Sequence, residues 1–533
     1  MIYALKLLFF VLVAATATAL FLRPAFASLF APAQYKRAWA WLLVVTVIAF
    51  MSLRPELYIL LIAIAAVIAA RYLGSGDAGK VNAFMLFLLP LPPIAYTLGG
   101  VEGLNYVLRL EHTRVISLVL FTIPAARLLF RQRNRSEPSL RAVDVAIFLI
   151  QFWDIFLMAR YASLTGLCRT IVESFCDILI PYYVITRTLR TPSQLREAAS
   201  YLMLGCAFVA SVACAESLVQ RNLYGGLQWV YGVRWESTVD LMRGGFLRVE
   251  ATTPQPIILA FVLIFGIGLW TWLKGDAPRS KWVYVVYLIL GLALVSTWSR
   301  GPWLGAMLLV IALLLQRWLT PRVFGAAVIL SLVAGIILKA SGADSAVMSG
   351  LSTLFGSSGS DLSTITYRRD LLDASLAMIK QSPWMGVPNY ESALQSFKQG
   401  EGMIDLVNTY IVIMINSGVI GLALFLFPYA FVIGKMLGER SKDRMVSKTV
   451  LGKFAPAFIA MILAMLFTIF TASTLDAMRY LLALGITLPV VWLTQAHREI
   501  TIAEEPQLQP EPEHGVRHAL VPGYGDNPGM LRR

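Results

Sequence analysis

The sequence is poor in charged residues, cysteine and histidine, and each shortage excludes a class of protein. Only 14% of the 533 residues are charged, whereas 58% are hydrophobic, and the mean hydropathy is +0.69. Soluble domains are about 25% charged and roughly 45–50% apolar, so one water-surrounded core cannot bury this much apolar surface. Four cysteines within apolar stretches, and four histidines without metal-ligand spacing, exclude a disulfide scaffold and a zinc module. The chain must therefore use a lipid bilayer as its solvent.

Long apolar runs take the place of the missing charge. A membrane-spanning helix needs about 20 mostly apolar residues, and about fifteen stretches of the chain meet this requirement. They lie near 3–22, 38–53, 55–72, 82–99, 113–130, 142–160, 170–187, 198–219, 254–273, 281–298, 301–317, 321–340, 406–434, 452–473 and 475–494. The predicted fold is an all-α, polytopic integral membrane helical bundle of about 14–15 transmembrane helices.

The net charge of +14 has a topological explanation. Lysine and arginine are concentrated in five loops, near 131–141, 187–196, 274–281, 317–322 and 435–453. Cytoplasmic loops are enriched in these residues, and all five loops fall on one side if each apolar stretch spans once. The opposite side, called the outer end below, then holds two long loops, about 220–253 and 341–405. This basic balance gives no indication of nucleic-acid binding.

The second outer loop has a helical pattern of its own. Apolar residues between Tyr367 and Lys380 recur at helical spacing, and the run stops before Pro383. We predict an amphipathic helix here and a second short helix near 389–398. Such a helix either lies in the membrane interface with its apolar face in lipid or caps the helical bundle.

Several arginines occupy the outer end, where the charge bias of membrane proteins does not predict them. They are Arg169, Arg243, Arg248, Arg300, Arg368 and Arg369. A guanidinium group binds phosphate oxygens in a bidentate manner, and helix N-termini add N–H donors near Arg169 and Arg300. The set predicts an anion site at membrane level, suited to a lipid phosphate or pyrophosphate. For a single arginine, the alternative is an extended side chain that reaches the lipid headgroups.

Four stretches resemble the O-antigen ligase and polymerase superfamily. Residues 294–306 resemble its Ser-Arg-Gly-x-Trp-Leu signature, and residues 367–387 resemble its outer-loop helix with a Pro-x-x-Gly-Val turn. Residues 405–422 resemble its Asn-x-Tyr entry and Gly-x-x-Gly-Leu helix. Residues 248–257 resemble the Arg-x-x-Ala-Thr-Thr-x-x-Pro-Ile stretch of exopolysaccharide polymerases in this group.

The resemblance implies a GT-C-like glycosyltransferase of the bacterial inner membrane that needs no metal or other cofactor. Such an enzyme takes a glycan from undecaprenyl pyrophosphate, and its two long loops face the periplasm. The expected partners are an undecaprenyl-pyrophosphate-linked oligosaccharide and membrane lipids. A chain-length regulator and a flippase are candidate protein partners. The implied organisation is N-terminal transmembrane helices at 1–164, a ligase/polymerase-like core at 165–435, C-terminal transmembrane helices at 436–496 and a disordered cytoplasmic tail at 497–533.

One position distinguishes the branches of the superfamily. Ligases carry a histidine before the asparagine of the second outer loop, but here Val407 precedes Asn408, and neither outer loop contains histidine. This departure favours a polymerase of lipid-linked repeat units over an O-antigen ligase or protein O-oligosaccharyltransferase, which is the alternative. A polysaccharide or anion transporter is the second alternative, although neither an internal repeat nor midplane charges support it.

The resemblance also suggests roles for individual residues. Arg248 and Arg300 match the arginines that hold the pyrophosphate, and Arg368 or Arg369 is a weaker third match. Glu250 and Asp405 are candidate catalytic bases because they are acidic, external and close to the motifs, although either one is equally suited to a salt bridge. The candidate substrate-binding residues are Arg169, Arg243, Arg368, Arg369, Asn408, Tyr410 and Trp303, with helix capping and interfacial anchoring as the alternatives.

Overall fold

The computed structural model describes residues 2–99, 106–130, 141–227, 231, 241–243, 245–276, 281–315, 359–387, 390–397, 406, 408–442, 454–472 and 477–504. These residues form a helical bundle with two short β-hairpins. Within the described residues, seven helices are long and apolar enough to cross a membrane, and three shorter apolar helices accompany them. The chain is therefore an all-α polytopic membrane protein, as predicted. The span expected near 321–340 lies outside the described residues.

The helices vary widely in length. In chain order they are α1 (Ile2–Phe26), α2 (Pro32–Met51), α3 (Pro55–Tyr72), α4 (Gly76–Phe87), α5 (His112–Phe130), α6 (Arg141–Met158), α7 (Leu164–Ser174), α8 (Ile180–Thr188), α9 (Pro192–Val219), α10 (Pro256–Leu273), α11 (Lys281–Ser296), α12 (Arg300–Leu315), α13 (Gly359–Gln381), α14 (Tyr390–Ala393), α15 (Thr409–Lys442), α16 (Phe454–Phe470) and α17 (Ala477–Glu504). A π-helical turn, Phe175–Leu179, joins α7 to α8, and short 3-10 turns, Lys274–Asp276 and Gln395–Phe397, follow α10 and α14.

Two antiparallel hairpins interrupt the helices. Strands β1 (Ala95–Gly99) and β2 (Tyr106–Glu111) pair with Ala95 opposite Glu111 and a bulge at Leu98–Gly99. Strands β3 (Met242–Arg243) and β4 (Phe246–Leu247) form the second hairpin, within the first outer loop.

The prediction of one continuous helix through residues 82–99 is wrong for the second half of that range. Helix α4 ends at Phe87, and the chain continues in a non-helical conformation into β1. Pro90, Pro92 and Pro93 explain this difference, because proline removes a backbone N–H and clashes with the preceding turn of a helix. Hydropathy alone does not detect the break, since these prolines lie among leucines.

The centre of the bundle is formed by α9 and α10, which are buried on nearly every side. Small residues allow close contact there: a Cβ at Gly266 would lie 3.2 Å from Cys206 Cβ, and one at Gly268 would lie 2.8 Å from Met461 Cβ. Close approach at small residues is the usual packing mode of membrane helices. Peripheral helices such as α1 expose large apolar side chains, including Phe9 and Leu20, as expected for a lipid-facing surface.

Polar contacts at the two ends of the bundle agree with alternating helix directions. At the end that holds the basic loop 187–196, Gln495 Nε2 of α17 donates to the Thr191 carbonyl over 3.1 Å. At the outer end, the Thr113 hydroxyl donates to the Tyr480 hydroxyl over 2.8 Å. Because Gln495 and Tyr480 lie near opposite ends of the apolar span Met478–Gln495 of α17, these contacts agree with the helix direction that the loop charges predict.

The outer-loop helix α13 caps the bundle. Its face containing Leu371, Ser375 and Met378 is buried, and Leu371 and Met378 form a small core with residues that include Ile415 of α15. Of the two alternatives for this helix, the described contacts favour capping over immersion in lipid. The second short helix predicted near 389–398 is present as α14 and the 3-10 turn after it.

The turn after α13 interlocks with a break in α15. Gly386 has φ +71° and lies against the Ile415 and Asn416 backbone, whereas Gly418 has φ +67° and lies against Trp384. The Val387 N–H donates to the Ile415 carbonyl over 2.7 Å. A Cβ at either glycine would overlap backbone atoms of the other segment. The two glycines therefore allow the second outer loop to dock on a membrane-spanning helix.

Candidate functional site

The first outer loop is tied to the turn between α11 and α12. Within the loop, the Arg248 N–H donates to the Leu241 carbonyl over 2.8 Å. Across to α11, the Val249 N–H donates to the Ser296 carbonyl over 3.2 Å. These backbone contacts place the segment carrying Arg248 beside the last residue of α11.

Three arginines of the predicted set meet at this turn. Arg243 Nη1 donates to the Trp298 carbonyl over 2.8 Å. Arg248 Nε donates to the Thr297 carbonyl over 3.3 Å, and its Nη2 donates to the Ser299 hydroxyl over 3.1 Å. Arg300 begins α12 immediately after the turn, with its side chain exposed. The structure thus brings together Arg243, Arg248 and Arg300, which we call the arginine cluster.

The arginine cluster concentrates positive charge beside a helix N-terminus. Burial, and beyond it the neighbouring Arg243, lower the pKa of Arg248 to about 10, while Glu250 acts in the opposite direction. The guanidinium therefore stays protonated at neutral pH. Since the N-terminus of α12 also carries a partial positive charge, this place favours an anion.

Aromatic side chains support the same turn. Trp298 has a left-handed backbone conformation, with φ +48°, and its ring stacks on Phe246 at a centroid distance of 5.2 Å. The ring centroid of Trp303 lies 6.1 Å from that of Trp298. The Trp303 indole N–H donates to the Leu294 carbonyl over 3.0 Å. Trp303 is thus engaged in holding the turn, which fits an anchoring role.

Glu250 lies beneath the loop rather than at its surface. Its side chain is 4% exposed, and Oε2 accepts a hydrogen bond from Asn222 Nδ2 over 3.3 Å. Next to it lies Glu216 of α9, a buried acid that belongs to none of the sequence motifs. A glutamate at the end of the mostly apolar stretch that follows Glu197 in α9 was the available signal.

In the second outer loop, Asn408 caps a helix. Its Oδ1 accepts hydrogen bonds from the backbone N–H groups of Tyr410 and Ile411, over 2.9 and 3.3 Å, which is the geometry of an N-cap. The Tyr410 hydroxyl donates to the Leu466 carbonyl over 2.6 Å. These contacts are those expected of capping and anchoring residues.

The remaining predicted residues of the second outer loop are less closely defined. Arg368 and Arg369 both lie in α13, and the side chain of Arg369 is exposed. Asp405 and Val407 lie outside the described residues.

The C-terminal end of α16 links the two motif regions. The Thr409 hydroxyl donates to the Ala472 carbonyl over 2.6 Å, and Gly301 lies against the Thr471 side chain. Residues 471–472 therefore contact both the start of α12, next to Arg300, and the start of α15, next to Asn408. The tertiary structure places these two helix starts on either side of the same short segment.

A second group of charges lies among α5, α7 and the π-helical turn. Arg114 Nη2 is 2.7 Å from Asp177 Oδ2, its Nη1 is 3.2 Å from Glu173 Oε1, and the Arg114 side chain is 5% exposed. Arg169 lies on α7 about one turn before Glu173, and so belongs to this region by its position in the fold. No sequence motif marks this group, although charges within predicted spans are a general signal of function.

Fold and site together define a polytopic membrane protein with an arginine cluster at one end of its helical bundle. Residues 285–426 match the family model described as O-antigen ligase, and this match supports the resemblance of that region to the O-antigen ligase/polymerase superfamily. The match includes Arg300 and the second outer loop, but Arg243 and Arg248 lie outside it. A search of curated proteins gives no match. The superfamily supports a general role in glycan transfer with a lipid-linked oligosaccharide.

Proposed function

We propose that the protein polymerises lipid-linked polysaccharide repeat units. In this reaction a glycan moves from undecaprenyl pyrophosphate to a hydroxyl group of another lipid-linked repeat. The observation that carries the proposal is the arginine cluster: Arg243 and Arg248 converge on the turn that precedes Arg300. Guanidinium groups beside a helix N-terminus suit a pyrophosphate.

In the proposed step, the acceptor hydroxyl oxygen forms a bond to the anomeric carbon of the donor glycan. The bond from that carbon to the pyrophosphate oxygen breaks, and the bonding electrons leave with the pyrophosphate. The arginine cluster stabilises the negative charge of this leaving group in the transition state. Arg248 and Arg300 have this role, with Arg243 beside them and Arg368 or Arg369 as an additional contact from the second outer loop.

A base that removes the acceptor proton completes the proposal. Asp405 is the better candidate, because the Glu250 carboxylate is buried and accepts a hydrogen bond from Asn222. Asn408 and Tyr410 would position the end of the second outer loop through their contacts with α15 and α16. Arg169 and Trp303 are secondary candidates for binding substrate.

The location follows from the same proposal. The five basic loops would lie in the cytoplasm, so the arginine cluster would face the periplasm of a bacterial inner membrane. A flippase that delivers the donor and a chain-length regulator are the proposed partners at that face.

A second candidate is glycan ligation to an acceptor other than a lipid-linked repeat. The family description of residues 285–426 as O-antigen ligase favours it. Polymerisation is favoured by Val407, because ligases of the superfamily that these motifs resemble carry a histidine at this position.

The test uses purified full-length protein in proteoliposomes with undecaprenyl-pyrophosphate-linked repeat units. Polymerisation predicts lipid-linked products of two or more repeats without any added acceptor, whereas ligation requires a different acceptor such as a lipid A core. Arg300→Ala should reduce product formation at least a hundredfold. Arg71→Ala, an exposed arginine at the end of α3, is the matched control. Normal product length with Arg300→Ala would contradict the proposed pyrophosphate role.

A further inference from the structure

Glu216 is a buried acid in an unfavourable place. It lies in the last turn of α9, and its exposed fraction is 0%. An ionisable group within a membrane helix is costly and is by default a candidate for function. A negative charge near the C-terminal end of a helix is also opposed by the helix dipole. Its neighbours must offset both effects.

The Glu216 carboxylate holds the two ends of the first outer loop. Oε1 accepts from the Leu223 N–H over 2.8 Å. Oε2 accepts from two consecutive N–H groups, those of Glu250 and Ala251, over 3.0 and 2.8 Å. Hydrogen bonds to an ionised acceptor are among the stronger ones in proteins, and they stabilise the charged form of Glu216. One side chain therefore joins residue 223 to residues 250–251.

Further contacts surround this anchor. The Gln220 side-chain oxygen accepts from the Leu247 N–H over 3.0 Å, and the Ser296 hydroxyl lies 3.1 Å from the Ser217 hydroxyl. Ala251 has φ +52°, a left-handed conformation that is strained for a residue other than glycine. The loop persists in this shape because its N–H groups meet the carboxylate.

These contacts bracket Arg248. The N–H of Leu247, on one side of Arg248, donates to the Gln220 side-chain oxygen, and the N–H of Val249, on the other side, donates to the Ser296 carbonyl of α11. The next N–H, that of Glu250, donates to the Glu216 carboxylate. The Arg248 side chain points from this fixed backbone to Thr297 and Ser299. A small displacement of residues 247–251 would move the guanidinium away from the turn.

We propose that Glu216 is a positioning residue for the arginine cluster: its carboxylate fixes the backbone that presents Arg248 to a pyrophosphate-bearing lipid. This inference rests on the proposed function and extends it to a buried helix residue that need not contact the substrate. Since catalytic and binding groups must be held closely to their working geometry, loss of the carboxylate should weaken pyrophosphate binding without unfolding the bundle.

The test compares Glu216→Gln with Glu197→Gln, the same substitution near the other end of α9. Glutamine has one acceptor oxygen instead of two, so it cannot satisfy Leu223 together with Glu250 and Ala251 as the carboxylate does. Glu216→Asp keeps both oxygens on a shorter side chain and should therefore retain part of the amide protection and of the pyrophosphate affinity that Glu216→Gln loses. Two quantities are measured on full-length protein in detergent: hydrogen exchange of the loop amides, and affinity for farnesyl pyrophosphate with farnesol as the uncharged comparison.

We expect Glu216→Gln to accelerate exchange at Leu223, Glu250 and Ala251 and to weaken farnesyl pyrophosphate binding about tenfold. Farnesol binding and the melting temperature should stay close to those of Glu197→Gln. Unchanged exchange, or faster exchange with unchanged pyrophosphate affinity, would overturn the positioning role. If the native protein itself does not prefer farnesyl pyrophosphate to farnesol, the proposed function fails, and the exchange data still decide whether Glu216 orders the loop.

Discussion

The Arg248 guanidinium donates a hydrogen bond to the Ser299 hydroxyl over 3.1 Å, although 51 residues separate the two in the chain. The Ser299 hydroxyl is also 3.2 Å from the Thr297 carbonyl, which itself accepts from Arg248 Nε over 3.3 Å. The three groups form a closed set of contacts. This set joins the first outer loop to the residue that precedes Arg300.

Arg248→Lys should impair glycan transfer nearly as strongly as Arg248→Ala. Lysine keeps the charge but lacks the planar fork that bonds Thr297 and Ser299 together. We expect at least a tenfold lower transfer rate at limiting donor concentration, which corresponds to about 1.4 kcal/mol. The rate is measured in proteoliposomes with lipid-linked repeat units. A rate for Arg248→Lys equal to the native rate would show that charge alone suffices.

Ser299→Ala should have a smaller effect in the same assay. It removes one of the two hydrogen bonds that hold the guanidinium at the turn, while Thr297 still accepts from Arg248. We expect a several-fold increase in the donor KM and little change in protein yield. Ser193→Ala, near the start of α9, is the control, and an equal effect of both substitutions would argue against a local role for Ser299.

Gly386→Ala and Gly418→Ala should both destabilise the protein. Each glycine has a positive φ and faces backbone atoms of the other segment, so alanine adds about 1–2 kcal/mol of backbone strain as well as steric overlap. We expect a melting temperature in detergent several degrees lower for each variant. Gly434→Ala, in the same helix α15 with open space around its Cβ position, should leave the melting temperature unchanged. Equal melting temperatures for all three would contradict the interlocked packing.

Arg114→Leu should be among the most destabilising substitutions in the bundle. It leaves Asp177, whose side chain is 19% exposed, without its bidentate partner, and breaking a buried pair typically costs about 3–5 kcal/mol. Adding Asp177→Asn should recover part of this loss, because the uncompensated charge is then removed. The measurement is the free energy of unfolding in mixed detergent.

The partly exposed pair Lys80–Asp77 provides the comparison for Arg114. Its side chains are 24% and 31% exposed, and surface pairs contribute about 0–1 kcal/mol. Lys80→Met should therefore change the unfolding free energy little. A loss as large as that of Arg114→Leu would show that burial does not set the difference between these pairs.

Lys274 should make stability depend on pH in the alkaline range. Burial lowers its pKa to about 8 from the ordinary 10.5, and its ammonium group lies 4.6 Å from the centroid of the Tyr287 ring. Between these two values the unfolded chain binds a proton that the folded protein does not, so stability rises with pH. The melting temperature in detergent, followed through this range, should rise less in Lys274→Met than in the native protein. Lys281→Met controls for a lost positive charge nearby, and identical slopes for Lys274→Met and the native protein would refute the prediction.

The arginines of the cluster stand out in the sequence, but the partners of their side chains do not. Arg243, Arg248 and Arg300 are conspicuous because they break the usual charge bias of membrane loops. The contact of Arg243 with Trp298 spans 55 residues, and no local pattern encodes such a separation. No motif marks Glu216 for the same reason, since its partners are backbone N–H groups 34 and 35 residues away in the chain.

The sequence by itself determined that this protein is a membrane helical bundle and that part of it resembles the O-antigen ligase/polymerase superfamily, because hydropathy and short motifs are local properties of the chain. It also located most helices, except where three prolines end α4 early. Only the tertiary structure decided which arginines meet, that α13 packs on a broken α15, and that Glu250 is buried. These features depend on loop closure and interhelical packing, in which each residue's surroundings come from distant parts of the chain.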